Sequence, residues 1–122
     1  MTLAPQILVY SDDLMWVGRI TAVAEQLGLS ARGMRTVAQL IASLSDTPAR
    51  CLVLDLGMGD ASQVVAELTP VLTPETRLVA FGSHVDANAL AQARQAGCDP
   101  VLPRSTFAER LPELLTAWTA TT

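Results

Sequence analysis

The sequence is poor in charge, and its few basic side chains are not clustered. Of 122 residues only 16% are charged, eight are Lys or Arg, and the formal net charge is -4. Binding to nucleic acid or to an anionic membrane needs clustered Lys and Arg side chains. Neither is therefore expected as the main partner. Half of the residues are hydrophobic, which provides a sizeable core and argues against a disordered chain.

Long apolar runs and cysteine motifs are also missing, and we expect no secretory leader. No apolar stretch approaches the roughly 20 residues that a membrane-spanning helix needs. The first ten residues have no basic side chain ahead of the apolar ones, so they do not form a secretory signal. Two cysteines are too few for a disulfide framework or a metal site; Cys51 is expected in the core and Cys98 near the surface. We expect one soluble, cytoplasmic domain over residues 1–122.

Four short apolar runs predict β-strands. They are rich in Val and Leu and barely alternate with polar residues, which is typical of strands covered on both faces. A weaker run at 30–34 predicts an edge strand. The four runs are ILVY (7–10), CLVL (51–54), RLVAF (77–81) and PVLP (100–103).

The segments between these runs have the apolar spacing of helices, and capping residues mark their starts. Gly28 is expected to stop the first helix, and Pro70 to end or bend the third. The inward stripe of the first helix is predicted to be Leu14, Val17, Ala24 and Leu27. The predicted N-caps of the second and third helices are Thr36 and Asp60, and the first and fourth helices are predicted to begin near Asp13 and Asp86.

The last helix is predicted to begin near Leu111, because Pro112 is tolerated in a first turn. The segment STF (105–107) before it is expected to be a turn. Trp118 fits either the buried stripe of this helix or an interface anchor. Trp16, at the start of the first helix, either covers the acidic loop beside it or packs in the core.

Strand followed by helix, five times over, predicts a parallel sheet with helices on both faces. In such folds, sites gather at the carboxyl ends of the strands. Asp12 and Asp13 follow the first strand, and Asp55 ends the third. We therefore expect two acidic loops to be neighbours at one edge of the sheet.

Two common kinds of site do not fit these loops. The first loop puts two carboxylates where a phosphate cradle needs glycine and hydroxyl groups, and the GMG at 57–59 lacks the third glycine of a dinucleotide motif. The only histidine is His84, next to Ser83, and no G-x-S-x-G motif is present. Nucleotide, flavin and triad-hydrolase sites are therefore disfavoured.

Two adjacent acidic loops can instead hold a divalent cation. Mg²⁺ prefers a few hard oxygen ligands and keeps several waters, and a carboxylate beside it can attack phosphorus. For each aspartate a structural role competes: Asp12 or Asp13 can cap the first helix, and Asp55 can accept N–H bonds from its own loop. A phosphatase of the D-x-D type is disfavoured because Gly57 takes the place of the second acid.

The segments ILVYSDD, CLVLDLGMGD, RLVAFGS and ARQAGCDPVLP, in that order over nearly the whole chain, resemble the receiver domain of bacterial response regulators (CheY-like). The resemblance implies a flavodoxin-like fold, with a doubly wound five-stranded parallel sheet, and phosphoryl transfer from a histidine kinase. It implies that Asp55 is the phosphoacceptor and that Asp12 is a ligand of Mg²⁺. It also implies that Gly57 gives its backbone carbonyl to the metal.

Several positions depart from the pattern of that family. Ser11 stands in place of the first of two acids, and Gly82 in place of Thr or Ser, with Ser83 next to it. Arg104 replaces the usual lysine, and Val101 the aromatic switch residue. Phosphoryl capture needs the nucleophile and the cation, whereas switching needs a two-state element that the new charge biases. By the resemblance, three of the parts that read out phosphorylation are changed.

Two functions therefore stay open. The first is a stand-alone receiver in phosphorelay (two-component) signal transduction, in which Asp55 accepts the phosphoryl group and Arg104 and Ser83 assist. The second is a pseudo-receiver, a protein-interaction module whose signal does not depend on phosphate. We expect Mg²⁺ as a cofactor of the first, held by Asp12, Asp13, Asp55 and Gly57.

In either case we expect a signalling module and not an enzyme. Its partner is expected to be a protein, such as a histidine kinase or a downstream regulator, or a second copy in a homodimer. The last two helices and the strand between them are the expected contact face.

Overall fold

A computed structural model describes residues 5–120. Five parallel strands form one sheet in the order β2-β1-β3-β4-β5. The strands are β1 (Ile7–Tyr10), β2 (Ala31–Met34), β3 (Cys51–Asp55), β4 (Arg77–Gly82) and β5 (Val101–Pro103). The helices are α1 (Leu14–Gln26), α2 (Val37–Asp46), α3 (Ala61–Leu68), α4 (Ala87–Gln95), α5 (Arg104–Glu109) and α6 (Leu111–Thr119). Two 3₁₀ turns follow β3 and α3, at Leu56–Met58 and Thr69–Val71.

The predicted doubly wound, flavodoxin-like sheet is confirmed. β1 and β3 are buried along their whole length, as their nearly continuous apolar sequences predict. The weak run at 30–34 forms the edge strand β2, which pairs with β1. Because β3 lies between β1 and β4, the loops that follow these three strands meet at one edge of the sheet.

Each face of the sheet carries its own core. Side chains alternate along β1, so that Leu8 and Tyr10 pack with α2, α3 and α4, whereas Ile7 and Val9 pack with α1, α5 and α6. The second core contains four stacked or tilted aromatic rings. Trp118 is one of them and is 8% exposed, so the core interpretation of this residue is confirmed.

The predicted N-caps Thr36 and Asp60 are confirmed, and the predicted helix starts Asp13 and Asp86 are N-caps as well. Each of these side chains accepts a hydrogen bond from a backbone N–H of the first turn. Thr36 forms a full capping box with Gln39. Gly28 follows α1 with a φ of 75°, the left-handed conformation that glycine adopts after a helix. The other three caps are Asp13 on α1, Asp60 on α3 and Asp86 on α4.

The predicted inward stripe of α1 is wrong at its two ends. Leu14 is 69% exposed and Leu27 is 39% exposed. The residues that face the sheet are Trp16, Ile20 and Ala24, which are spaced by one turn. The helix is rotated in this way because the large Trp16 ring packs against aromatic rings beneath it, and that contact outweighs the burial of a terminal leucine.

Two further predictions are corrected. The segment STF is not a turn but part of α5, because Phe107 is buried in the aromatic core and the helix begins directly after β5. α6 begins at Leu111, as predicted, with Pro112 in its first turn. Cys98 is not near the surface: it is 3% exposed in the core beneath α4, and burial raises the pKa of its thiol to about 11. Cys51 is in the core, as predicted.

Between residues 5 and 120, the helices are all too short or too polar to cross a membrane.

Candidate functional site at the end of the central strand

Asp55 is the last residue of β3, the central strand of the sheet. It is 6% exposed, and within residues 5–120 no other acidic side chain is buried. A buried carboxylate is costly unless it is hydrogen-bonded or paired with a cation. Its partners therefore decide what the residue can do.

Both oxygens of Asp55 accept hydrogen bonds from neutral donors. The hydroxyl of Ser11 donates to Oδ2 at 2.7 Å, and the backbone N–H of Gly57 donates to Oδ1 at 2.8 Å. The backbone N–H of Asp13 donates in turn to Ser11 Oγ at 3.1 Å. The loops after β1 and β3 are thus neighbours, as predicted, and are joined through Ser11.

The aspartates after β1 have different environments. Asp13 Oδ1 accepts the backbone N–H of Met15 at 3.0 Å, so the structural role weighed for Asp13, the cap of α1, is confirmed. Asp12 is exposed. Over the described part of the chain, no three His, Cys, Asp or Glu side chains form a group that could hold a metal. Asp12, Asp13 and Asp55 are therefore not gathered into a three-acid site.

Arg104, the first residue of α5, lies beside Asp55 without forming an ion pair with it. Both side chains lie next to Gly57. A Cβ atom placed on that residue would be 3.1 Å from Asp55 Oδ1 and 3.5 Å from Arg104 Nη2. Among residues 5–120 the one ion pair joins Arg110 to Glu113. The sequence contains no lysine, so Arg104 is the basic side chain that the structure places beside Asp55.

On the other side of Asp55, the space next to β4 is filled by an apolar side chain. A Cβ atom placed on Gly82 would be 3.0 Å from Leu56 Cβ and 3.1 Å from Leu56 Cδ1. Leu56 therefore lies where the side chain of residue 82 would be. The Ser83 hydroxyl accepts the backbone N–H of Val85 at 3.4 Å, and no hydrogen bond joins it to Asp55. The structure thus brings Arg104 to the site but does not bond Ser83 to it.

An aromatic cluster lies next to the site, on the same face of the sheet as the Asp55 side chain, because side chains alternate along β3 and Val53 belongs to that core. The ring of Phe81, which pairs with Asp55 in the register of β3 and β4, stacks on Phe107 with centroids 4.6 Å apart. Trp16 packs against Phe81 at 4.9 Å, and Trp118 against Phe107 at 6.2 Å. Of the two roles considered for Trp16, core packing is therefore the one observed.

Sequence reasoning identified Ser11 only as a departure from the family's pattern and missed its bond to Asp55. The available signal was a hydroxyl residue ending the strand next to β3. It also missed Leu56. The available signal there was Gly82, since a residue without a side chain beside a leucine leaves space that the leucine can fill.

No family model matches this chain, and no curated protein matches it significantly in sequence. Solved structures do match it. A response regulator from Thermotoga maritima superimposes with a TM-score of 0.80 and 13% identity, over 98% of this chain and 100% of the other. The receiver domain of NtrX from Brucella abortus has a TM-score of 0.79 and 19% identity, over 95% and 99%.

A response regulator protein from Burkholderia pseudomallei, solved with a phosphorylated aspartic acid, a calcium ion and citrate, has a TM-score of 0.74 and 19% identity. The match covers 93% of this chain and 66% of that one. At these identities the likeness is one of fold. The predicted resemblance is confirmed at that level: the chain has the fold of response-regulator receiver domains.

Proposed function

We propose that this chain is a receiver module of a two-component phosphorelay, in which Asp55 accepts a phosphoryl group and the output passes by protein contact. The observation that carries the proposal is the state of Asp55. It is a buried acid at the carboxyl end of the central strand, held by two neutral donors and with no cation at ion-pair distance. Each carboxylate oxygen has two lone pairs, so the two hydrogen bonds leave lone pairs for reaction.

In the proposed step, one oxygen of Asp55 forms a bond to the phosphorus of a phosphorylated donor. The bond from phosphorus to the donor's leaving atom breaks, and its electron pair stays with the leaving group. The product on Asp55 is an acyl phosphate. Arg104 is placed to pair with the transferred group, because a guanidinium offers several N–H donors to phosphate oxygens. Ser83 assists only if it leaves its bond to Val85.

A divalent cation that keeps most of its water is part of the proposal. Mg²⁺ is often held by one or two carboxylates, and we expect those of Asp55 and Asp12, together with the backbone carbonyl of Gly57. Asp13 keeps one carboxylate oxygen for this role after capping α1. Such a cation would neutralise negative charge around the phosphoryl group.

The similar structure from Burkholderia pseudomallei supports the proposal, since it contains a phosphorylated aspartic acid and a calcium ion. The sequence by itself gives the same assignment through its resemblance to receiver domains. We expect a protein partner, such as a histidine kinase or a downstream regulator, and no turnover of a substrate. A homodimer is the other candidate assembly, and light scattering with and without phosphodonor distinguishes it from a monomer.

The test is chemical labelling of Asp55. After incubation with acetyl phosphate and Mg²⁺, intact mass spectrometry of the wild-type protein should show one added phosphoryl group. Asp55→Asn should abolish it. Asp60→Asn is the matched control, because Asp60 is an exposed N-cap and Asn is an equally good cap. An unlabelled wild type, or label that persists in Asp55→Asn, would contradict the proposal.

A second candidate is a pseudo-receiver that binds its partner whether or not Asp55 is modified. The packing of Leu56 against Gly82 favours it, since no hydroxyl on β4 is available to form a hydrogen bond to a phosphoryl group on Asp55. Hydrogen exchange with and without beryllofluoride separates the two functions. A receiver that switches should change the protection of the loops after β4 and β5, whereas a pseudo-receiver should leave both unchanged.

A further inference from the structure

Ser11 is held in one orientation by contacts on three sides. Its side chain is 1% exposed, and its backbone N–H donates to the carbonyl of Met34 at 3.1 Å. Its hydroxyl accepts the N–H of Asp13 and donates to Asp55 Oδ2. With the acceptor side of the hydroxyl occupied by that N–H, its proton is directed at the carboxylate.

This hydrogen bond allows the carboxylate of Asp55 to be buried without a cation. Hydrogen bonds to an ionised acceptor are stronger than those between neutral groups. Together with the N–H of Gly57, the Ser11 hydroxyl satisfies one lone pair on each oxygen. No basic side chain of residues 5–120 lies at ion-pair distance from Asp55. The site is thus complete as an anion held by neutral donors.

The same residue limits the negative charge that a cation would meet. The affinity of a site for a hard divalent cation depends on the number of charged ligands and on rigidity. An acidic residue at position 11 would add a carboxylate next to Asp55, whereas a serine adds a neutral oxygen whose proton occupies one lone pair of Asp55 Oδ2. Ser11 therefore lowers the charge and also competes for Asp55 Oδ2.

We propose that Ser11 is a positioning residue that holds Asp55 by a neutral hydrogen bond and that sets a low Mg²⁺ affinity for this site. A single substitution, Ser11→Asp, should then create a tight Mg²⁺ site. The inference rests on the proposed function for its meaning in signalling, but its test needs no phosphoryl transfer. A protein that is never labelled at Asp55 would contradict the proposed function and leave this inference standing.

The experiment titrates MgCl₂ into the whole protein by calorimetry at fixed ionic strength, without a phosphodonor. Ser11→Asp should bind Mg²⁺ at least tenfold more tightly than the wild type. In Ser11→Asn the new side chain has the shape of aspartate without its charge. The Mg²⁺ affinity of this variant should therefore match that of the wild type. In Ser11→Asp combined with Asp55→Asn the gain should disappear, because the cation would then have lost one of its two adjacent carboxylates.

Thermal unfolding gives a second measurement. Ser11→Asp should melt below Ser11→Asn in EDTA, because like charges at short distance repel, and above it in Mg²⁺, because a bound cation stabilises the folded state. A Ser11→Asp protein that folds only with Mg²⁺ also supports the proposal. Saturable binding of submillimolar Mg²⁺ by the wild type overturns it, as does an equal gain in Ser11→Asn.

The positioning role has its own readout in the amide resonance of Gly57, the N–H that donates to Asp55 Oδ1. Ser11→Ala should shift this resonance, because the carboxylate loses its second anchor. Ser11→Thr keeps a hydroxyl on the same atom and should restore the wild-type position. An unchanged resonance in Ser11→Ala would show that Ser11 does not position Asp55.

Discussion

The two sides of Asp55 are built from different kinds of contact. On the β1 side, the loop Ser11–Asp13 supplies a hydroxyl bound to the carboxylate and two further acids. On the β4 side, Leu56 packs against Gly82, and the nearest hydroxyl, that of Ser83, is used in its own turn. The polar side is suited to holding a reactive anion. The apolar side is closely packed and is not suited to forming a hydrogen bond to a new charge on Asp55.

If Asp55 is phosphorylated, as proposed, the difference separates two tasks of such a site in this fold. Capture of a phosphoryl group depends on the carboxylate and the polar groups around it. Readout depends on a neighbouring element that has two arrangements and that the new charge biases. In this chain the first set of groups is present, and the second is replaced by close packing.

The largest expected effect is on the β1 side. Ser11→Ala leaves Asp55 Oδ2 without its donor in a buried site, which should lower the free energy of unfolding by about 2–3 kcal/mol. Urea denaturation measures the loss. In a double-mutant cycle with Asp55→Asn, the cost of Ser11→Ala should shrink, because the buried charge is gone. Equal costs in both backgrounds would show that the hydroxyl does not stabilise the carboxylate.

A smaller loss is expected on the β4 side from Gly82→Thr, which introduces the hydroxyl that receiver domains carry there. The new Cβ would collide with Leu56, and overpacking of this kind costs about 1–3 kcal/mol. Leu56→Ala should relieve part of the loss in the double variant, because it removes Cγ and Cδ1 but keeps the Cβ atom that is nearest to residue 82.

Gly18→Ala is the control for Gly82→Thr, because a Cβ atom there meets nothing within 4 Å. Since alanine is a better helix former than glycine, this change in α1 should be neutral or stabilising. If Gly82→Thr were tolerated as well as Gly18→Ala, the β4 side would be looser than its packing indicates.

The smallest effect on stability is expected at Arg104, which lies beside Asp55 next to Gly57 and is not ion-paired. Arg104→Ala should change the free energy of unfolding by no more than about 0.5 kcal/mol. Its effect should appear in labelling, where we expect slower phosphorylation of Asp55 by acetyl phosphate. Arg104→Lys keeps the charge and should recover part of the rate. A large loss of stability in Arg104→Ala would instead show that the guanidinium holds the folded site together.

The strands and the helix caps could be predicted because their signals are local. Asp13 and Thr36 accept hydrogen bonds from residues two or three positions ahead, and β1 and β3 are marked by their own apolar runs. The rotation of α1 could not be predicted in the same way. Its apolar residues fit more than one stripe, and the choice depended on Phe81, which packs against Trp16.

The burial of Cys98 and the helix around Phe107 were missed for a related reason. Both segments are short and carry mixed polar and apolar residues, so their own sequences do not fix how deeply they pack. Phe107 packs in the aromatic core, and Cys98 is buried in the core beneath α4. In each case the deciding partner belongs to another element.

The sequence by itself determined the order of strands and helices, the helix caps and the place of Asp55 at the end of a buried strand, because these depend on residues within a few positions of one another. Only the tertiary structure decided that Ser11 holds Asp55 and that Leu56 packs against Gly82. Ser11 is 44 residues from Asp55 along the chain. Gly82, which contacts Leu56, is on the neighbouring strand β4. These pairs exist because the sheet places β1 and β4 on either side of β3, and that order follows from the packing of the whole domain.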